Sequence, residues 1–339
     1  MRALVVILNK DNAEGLRNCL ESLERQTAKI CRDFDVLILD GGSKDNSRDV
    51  AEGFASKHPC VEFRVQKRLG GTGFARIEAC EAAKDYDVVV WGDSENVYCE
   101  DYVEKVLKAL RSCDVVGGIP VLGGGFLDHA FAWYHAVHAI FPKLAAYHIP
   151  GNNRAEKTWI YELVSYPPSV RADDYGFSLL LMKKGLKLRS RVVDAKVRVS
   201  LPKNLREVFR WQKYRAKGAA QAAKLVGVFP YDSVAWVAFL TALSAAFVIF
   251  PPFAVIFALL SSLLLFAASR RFLEKPRLRY FFAPLLGVLV HSAFCLLTIY
   301  EYVFNVGREE ARDAAADARR GDKGGEDSGN VSEEGGKSQ

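Results

Sequence analysis

The sequence predicts an α/β domain built on a doubly wound, mostly parallel sheet and followed by C-terminal transmembrane helices. Two observations predict it. Before about residue 230, short continuous apolar runs alternate with segments of helical periodicity, as expected of strands covered on both faces and joined by helices. From Val234 to Val306 the chain is dominated by Ala, Leu, Phe and Val, in stretches long enough to cross a bilayer.

Along the chain, the run Ala3 to Leu8 is the first strand, and Leu16, Leu20 and Leu23 mark the apolar face of a helix. Val36 to Leu39 is the second strand, opening into Asp40-Gly41-Gly42-Ser43-Lys44-Asp45. A helix and a short strand at Val61 to Val65 follow. Gly70-Gly71-Thr72-Gly73 then opens a helix that carries Arg76, and Val88 to Trp91 is the next strand. In such sheets ligands bind beyond the carboxyl ends of the strands, which is where the loops after Leu39 and Trp91 sit.

The stretch Val234 to Ala268 has no formal charge and is interrupted only by Pro251-Pro252. As one helix it would run roughly 52 Å, well beyond a hydrocarbon core of about 30 Å. The proline pair divides it, giving spans at 234–250 and 252–268, with a third at 280–304. The intervening segment Arg270 to Arg279 is basic and is expected on the cytoplasmic side. A hairpin over 234–268 then keeps the preceding domain, residues 1–225, on that side too. Residues 307–339 are polar and charged, and read as a disordered tail.

The chain of 339 residues carries a formal net charge of +6, and the Lys and Arg crowding between Lys183 and Lys217 suits a bilayer surface better than nucleic acid. Seven cysteines are scattered without zinc-knuckle or redox spacing, which fits reduced thiols in a cytoplasmic setting. The short run at Ala3 to Leu8 is not a signal peptide. The glycine-rich Gly70 to Gly73 lacks the lysine of a phosphate-binding NTPase loop, so that class is set aside. Four histidines, His129, His135, His138 and His148, fall in 126–149. Its aromatic residues predict an amphipathic helix at the membrane interface rather than a metal cluster.

Four short motifs carry candidate chemistry. Asp40 ends a buried strand beside two glycines, and it either binds a base or ribose or simply builds the turn. Asp93 and Glu95, one residue apart after Trp91, are placed to share a divalent cation of the kind a diphosphate leaving group needs. Asp173 and Asp174 precede an apolar helix, as a cap or as a general base. Gln212 and Arg215 lie on one face of an amphipathic linker at 203–225, suited to gripping a diphosphate or an acceptor.

Taken together and in order, these motifs resemble the family 2 glycosyltransferases, inverting enzymes of the GT-A fold. Asp40 to Asp45 looks like the family's D-[DG]-G-S-x-D loop, and Asp93-Ser94-Glu95 stands where the family has D-x-D. Asp173-Asp174 is similar to the E-D motif, and Gln212 to Arg215 to Q-x-x-R-W. Gly151-Asn152-Asn153 looks like the acceptor-side G-x-N-x-A loop. The resemblance implies a nucleotide-sugar donor held by Asp40, Gly42, Arg76, Asp93, Gln212 and Arg215. It further implies Mg2+ or Mn2+ on Asp93 and Glu95, Asp174 as base with Asp173 beside it, and a lipid-linked or membrane-proximal acceptor. Departures are Glu95 for the second Asp, Gly41 for a second acid, and Ala216 for the Trp, which argues against a processive synthase. A polyprenyl-phosphate sugar synthase and a catalytically silent scaffold are the other readings.

Overall fold

The computed structural model describes residues 1–140 and 150–305; the tail expected at 307–339 and part of the helix expected at 126–149 lie outside them. Strand β1 (Ala3–Asn9) is buried along its whole length and is the centre of a parallel group. It pairs with β2 (Asp35–Asp40) on one side and β4 (Val88–Asp93) on the other, and β3 (Val61–Val65) extends the edge beyond β2. Successive residues of β1 point to opposite faces, as the pleat requires. Val5 and Ile7 pack with Leu16, Leu20 and Leu23 of α1 (Ala13–Glu24). Leu4, Val6 and Leu8 pack with Ala75 and Ala79 of α3 (Thr72–Ala82), on the opposite side from α2 (Ser47–Ala55). Each fully buried Ile or Leu in these layers contributes about 1.5–3 kcal/mol.

The full sheet has eight strands in the order β3-β2-β1-β4-β7-β6-β8-β5. Its second half is mixed, which sharpens the mostly parallel expectation. After β5 (Val97–Tyr98), α4 (Tyr102–Leu110) and β6 (Val115–Val121), the short β7 (Arg154–Lys157) inserts antiparallel between β4 and β6. Hydropathy hides β7, because two of its buried residues are charged. Arg154 Nε donates to Glu156 Oε2 at 2.6 Å, and the pair enters the interior together. β8 (Ser190–Arg198) closes the sheet against β6.

The helices of the second half build the floor of the site. α5 (Phe126–Ile140) follows β6, and a single turn, α6 (Ile160–Leu163), leads towards α7 (Asp173–Lys183). α8 (Leu205–Val226) starts where Asn204 Oδ1 accepts from Glu207 N at 3.0 Å while Glu207 reaches back to Lys203 N, a reciprocal cap.

Three helices then follow that are long and apolar enough to cross a membrane: α9 (Tyr231–Ile249), α10 (Pro251–Ser269) and α11 (Ala283–Tyr300). Pro251 and Pro252 occupy the first turn of α10, where a missing N–H costs nothing, so they turn the chain rather than kink it. Only 6% and 11% of the first two spans are covered by protein, against 33% of the third. The hairpin therefore presents bare apolar surface, whereas α11 doubles as part of the domain's underside. It packs on α5 through Ala283 and Val290 beside Ala130 and Phe131. The aromatic face of α5 is covered in the same way, with Trp133 stacked on Trp236 at 5.9 Å.

One detail differs from the sequence reading. Cys31 and Cys60 form a disulfide, with Cα atoms 5.3 Å apart, across the entries to the neighbouring strands β2 and β3. The expectation of thiols reduced throughout is thus corrected, because adjacency of parallel strands brings together residues far apart in sequence. His129 is a structural group: its ring meets Gly125 O at 2.7 Å and Arg277 N at 2.8 Å, fastening the basic loop to α5. Among the described residues no group of three or more metal-ligating side chains occurs.

Candidate active site

The register of the parallel strands sets the site. Asp40 lies opposite Asn9 and Asp93 opposite Leu8, so both acids reach the same carboxyl edge of the sheet. Asp40 is buried and heavily engaged. Its Oδ1 accepts from Asn9 Nδ2 at 2.8 Å and Ser43 Oγ at 2.5 Å; its Oδ2 accepts from Gly42 N at 2.9 Å and Ser43 N at 2.7 Å. The carboxylate therefore shapes the loop through which a ligand would be met. Gly42 has φ +79°, a conformation that a side chain resists, and so keeps the loop tight. Asp45 caps the next helix by accepting from Ser47 N at 3.1 Å. Asn9 is a partner that the sequence did not single out.

The Asp93 loop is clamped by its neighbours while its acids stay unspent. Ser94 N donates to Leu8 O at 2.9 Å, and Asn96 Nδ2 donates to Asn152 O at 2.5 Å. Neither Asp93 nor Glu95 has a side-chain hydrogen bond or ion pair among the described residues. Burial raises Asp93 to about 6, with Asp173 and Asp174 adding to the effect and Arg76 opposing it. Glu95 is raised to about 7 by the protein packed around it and then by Asp93. Glu95 is exposed, so water screens its shift more than that of Asp93. Two crowded carboxylates without a cation suit a hard divalent metal completed by diphosphate oxygens. The donor set fits Mg2+ or Mn2+.

Arg76 and the acidic pair meet behind this loop. Asp173 is buried and forms an ion pair with Arg76 and a hydrogen bond with the Thr72 hydroxyl. Burial works against the Arg76 charge, but Asp173 in particular, with Tyr166, Asp93 and Asp174, more than restores it and holds the guanidinium firmly protonated. The same guanidinium lies 4.5 Å from the Trp91 ring centre and 5.4 Å from that of Tyr166. Its Nη1 is buried with no hydrogen-bond partner, a donor left over for a ligand. Asp173 is thereby committed to Arg76. Asp174 instead turns to Gly151, whose N–H donates to Oδ2 at 3.0 Å, while Tyr175 N donates to Oδ1 at 2.8 Å. A side chain at position 151 would collide with the Arg76 guanidinium, so the close approach needs glycine. Ala172, immediately before the pair, has φ +57°, a strained turn of the kind that gathers at functional sites.

Beneath lies a network with no signature in the sequence. Glu156 Oε1 accepts from Trp91 Nε1 at 3.0 Å, Tyr161 OH at 3.0 Å and Tyr166 OH at 2.7 Å, and Oε2 holds Arg154. Two of these partners are the rings that cradle Arg76. Asn153 is likewise structural, its Oδ1 accepting from Tyr102 OH at 2.7 Å and Gly118 N at 3.1 Å.

The Gln212 and Arg215 pair sits on α8, facing α5 and α11. Arg215 Nη1 donates to the buried Gln212 Oε1 at 3.2 Å. Its guanidinium lies 4.8 Å from the Trp211 ring centre, 5.1 Å from that of Phe294 and 6.0 Å from that of Tyr134. Among the described residues it has no carboxylate partner. Arg215 and Asp174 both act on the Tyr134 hydroxyl, so this charge belongs to the Asp174 neighbourhood.

The chain is similar to known proteins. Residues 3–155 match the family described as glycosyl transferase family 2. The uncharacterized glycosyltransferase YfnE of Bacillus subtilis (strain 168) is 30% identical over 135 residues, 40% of this chain and 32% of that protein. The undecaprenyl-phosphate mannosyltransferase of Micrococcus luteus is 24% identical over 206 residues, 58% of this chain and 83% of that protein. The match spans only about a third of the length of the first curated relatives. Among solved structures, the mannosyltransferase PcManGT from Pyrobaculum calidifontis, in complex with GDP-Man and Mn2+, is similar at TM-score 0.60 and 17% identity. That similarity covers 90% of this chain and 87% of that one. The glucosyl-3-phosphoglycerate synthase from Mycobacterium tuberculosis gives TM-score 0.50 and 17% identity over 67% of this chain and 81% of that one. Residues 3–155 thus match a glycosyl transferase family 2 domain, and the fold is of the GT-A type.

Proposed function

We propose that the protein transfers a sugar from a nucleoside diphosphate sugar, with inversion, to a lipid-linked or membrane-proximal acceptor. Asp93 and Glu95, two neighbouring carboxylates with no ion-pair partner among the described residues, at the sheet edge near Asp174, carry this reading. When bound there, Mg2+ or Mn2+ neutralises charge that builds on the departing diphosphate. Asp40 and Gly42 shape the nucleoside loop, and the spare Arg76 Nη1 donates to the donor. Asp174 takes the proton of the acceptor hydroxyl as that oxygen bonds to the sugar's anomeric carbon and the diphosphate leaves with its bonding pair. Gly151, with Asn152 and Asn153, holds the acceptor side of Asp174 in place. Gln212 and Arg215 close the site above α11.

The three apolar helices and the basic segment Arg270 to Arg279 support a multi-pass arrangement with the domain on the cytoplasmic side. A second reading, transfer to a polyprenyl phosphate, draws on Arg215, a cation with no ion-paired acid among the described residues and beside an apolar helix, and on the likeness to the Micrococcus undecaprenyl-phosphate mannosyltransferase. A phosphate nucleophile needs no base. The purified full chain, incubated with Mn2+, a nucleotide-sugar panel and native membrane lipids with or without added polyprenyl phosphate, is expected to give a glycosylated lipid by mass spectrometry. No nucleoside diphosphate release from any donor would overturn transfer and favour a silent scaffold.

A further inference from the structure

The helix that begins with Asp173 and Asp174 is held from two sides. On the sheet side, Phe177 and Leu181 enter the core with Trp91 and Tyr166. On the other, Leu179 packs with Ala223 and Val226 of α8, joined by Tyr175 and by Tyr302 just beyond α11. Lys183 Nζ donates to Val226 O at 2.7 Å at the far end of the helix. Its near end is tied to the apolar segment itself: the Tyr175 hydroxyl donates to Oδ1 of Asp232, in the first turn of α9, at 2.8 Å. Tyr175 directly follows Asp174 and supplies it with a backbone N–H. A hydrogen bond between a phenol and a carboxylate is among the stronger kinds, and here it spans the junction between domain and membrane helix.

We propose that Asp232 is a positioning residue: through Tyr175 it holds the strained turn that presents Asp174, so the first membrane helix completes the active site as well as anchoring it. This rests on Asp174 being the base. The sheet fixes the helix as a body, while the turn at Ala172 to Tyr175 is held by Arg76 and Thr72 on Asp173, by Gly151 on Asp174, and on its outer side by Tyr175, which packs against α8 and reaches Asp232. Burial, reinforced by Asp232, raises Tyr175 well above the usual phenol range, so its hydroxyl remains a donor at any working pH. A rotation of that turn moves the Asp174 carboxylate relative to the acceptor, an error to which rates are sensitive.

The test uses the full chain in lipid nanodiscs with Asp232→Ala, Asp232→Asn, Tyr175→Phe and the Tyr175→Phe/Asp232→Ala double variant. Asp232→Ala and Tyr175→Phe are each expected to lower kcat about tenfold, the effect of one hydrogen bond on a rate, with KM for the donor within about twofold. Asp232→Asn, whose amide oxygen accepts the same bond, keeps about half of the wild-type kcat or more, and the double variant is no slower than either single one. Hydrogen exchange at Asp173 to Gly176 is expected to quicken in Asp232→Ala and Tyr175→Phe while the sheet strands stay protected. Unchanged kcat in an active enzyme, or unchanged exchange in the turn, overturns the positioning role. If the wild type transfers no sugar, the reaction reading fails, and the exchange measurement decides the positioning role alone.

Discussion

In the proposed reaction, the donor side and the acceptor side of this site are built by different means. On the donor side, Asp40 and Asp93 sit at the ends of β2 and β4, the buried parallel strands on either side of β1, and their positions follow from strand register. On the acceptor side, Asp174, Gly151, Gln212 and Arg215 come from a helix start, a loop and a long amphipathic helix. Their places depend on contacts such as Arg76 to Asp173 and Tyr175 to Asp232, between residues 97 and 57 positions apart. A change in a donor loop should therefore remove one chemical group. A change on the acceptor side should act through the packing around it as well.

The largest expected effect separates the two sides most sharply. Asp174→Asn keeps the shape and the bond from Gly151 but cannot take a proton. Transfer to a hydroxyl acceptor should fall about 10²–10⁴-fold, measured as product formed per enzyme, while nucleotide binding by calorimetry stays near wild type. Full activity in this variant would turn the reading towards a phosphate acceptor.

Next come the donor-side acids. Asp93→Asn should cost about a hundredfold in rate and shift the Mn2+ titration to higher concentration, whereas Glu95→Gln should cost less because its side chain is more exposed. The raised carboxyls add a pH signature. Their folded values, about 6 for Asp93 and about 7 for Glu95, lie above those of an unfolded chain, about 4. Without metal, the stability they contribute is fully present below about pH 4 and is lost as pH rises through 6 to 7. A bound cation offsets that loss by favouring the ionised pair. Mn2+ should therefore raise the melting temperature clearly at pH 8 and hardly at pH 5, as followed by calorimetry. An equal rise at both would remove the metal from these two residues.

How much was legible in the sequence follows the same division. The strands around Asp40 and Asp93 read directly, because a continuous apolar run ending in a polar loop is a local signal. The three apolar helices read for the same reason. β7 did not, since its buried Arg154 and Glu156 neutralise each other only in three dimensions and look solvent-exposed in one. Removing one partner of such a buried pair costs about 3–5 kcal/mol, so the charges are as much a part of the core as a leucine. Arg76 stands out in the sequence on a helix opened by glycines, but its commitment to Asp173 and the Glu156 cradle beneath it exist only in three dimensions. Asp232 carries no local signal either, because its partner Tyr175 lies 57 positions away.

The smallest expected effect tests where the boundary between the two sides runs. The sequence groups Arg215 with the donor, as a clamp over its diphosphate. Its surroundings are instead Tyr134, Trp211 and Phe294, on the helices that pack against the apolar segment. If it serves an anionic or polar acceptor head, Arg215→Lys keeps the charge but loses the planar fork and its stacking on the rings. KM for the acceptor should then rise about threefold to tenfold, with KM for the nucleotide sugar unchanged, in initial-rate measurements that vary each substrate in turn. A rise in donor KM alone would move Arg215 across the boundary to the metal and diphosphate. The acceptor would then be recognised by Asp174, Gly151 and the membrane helices without this cation.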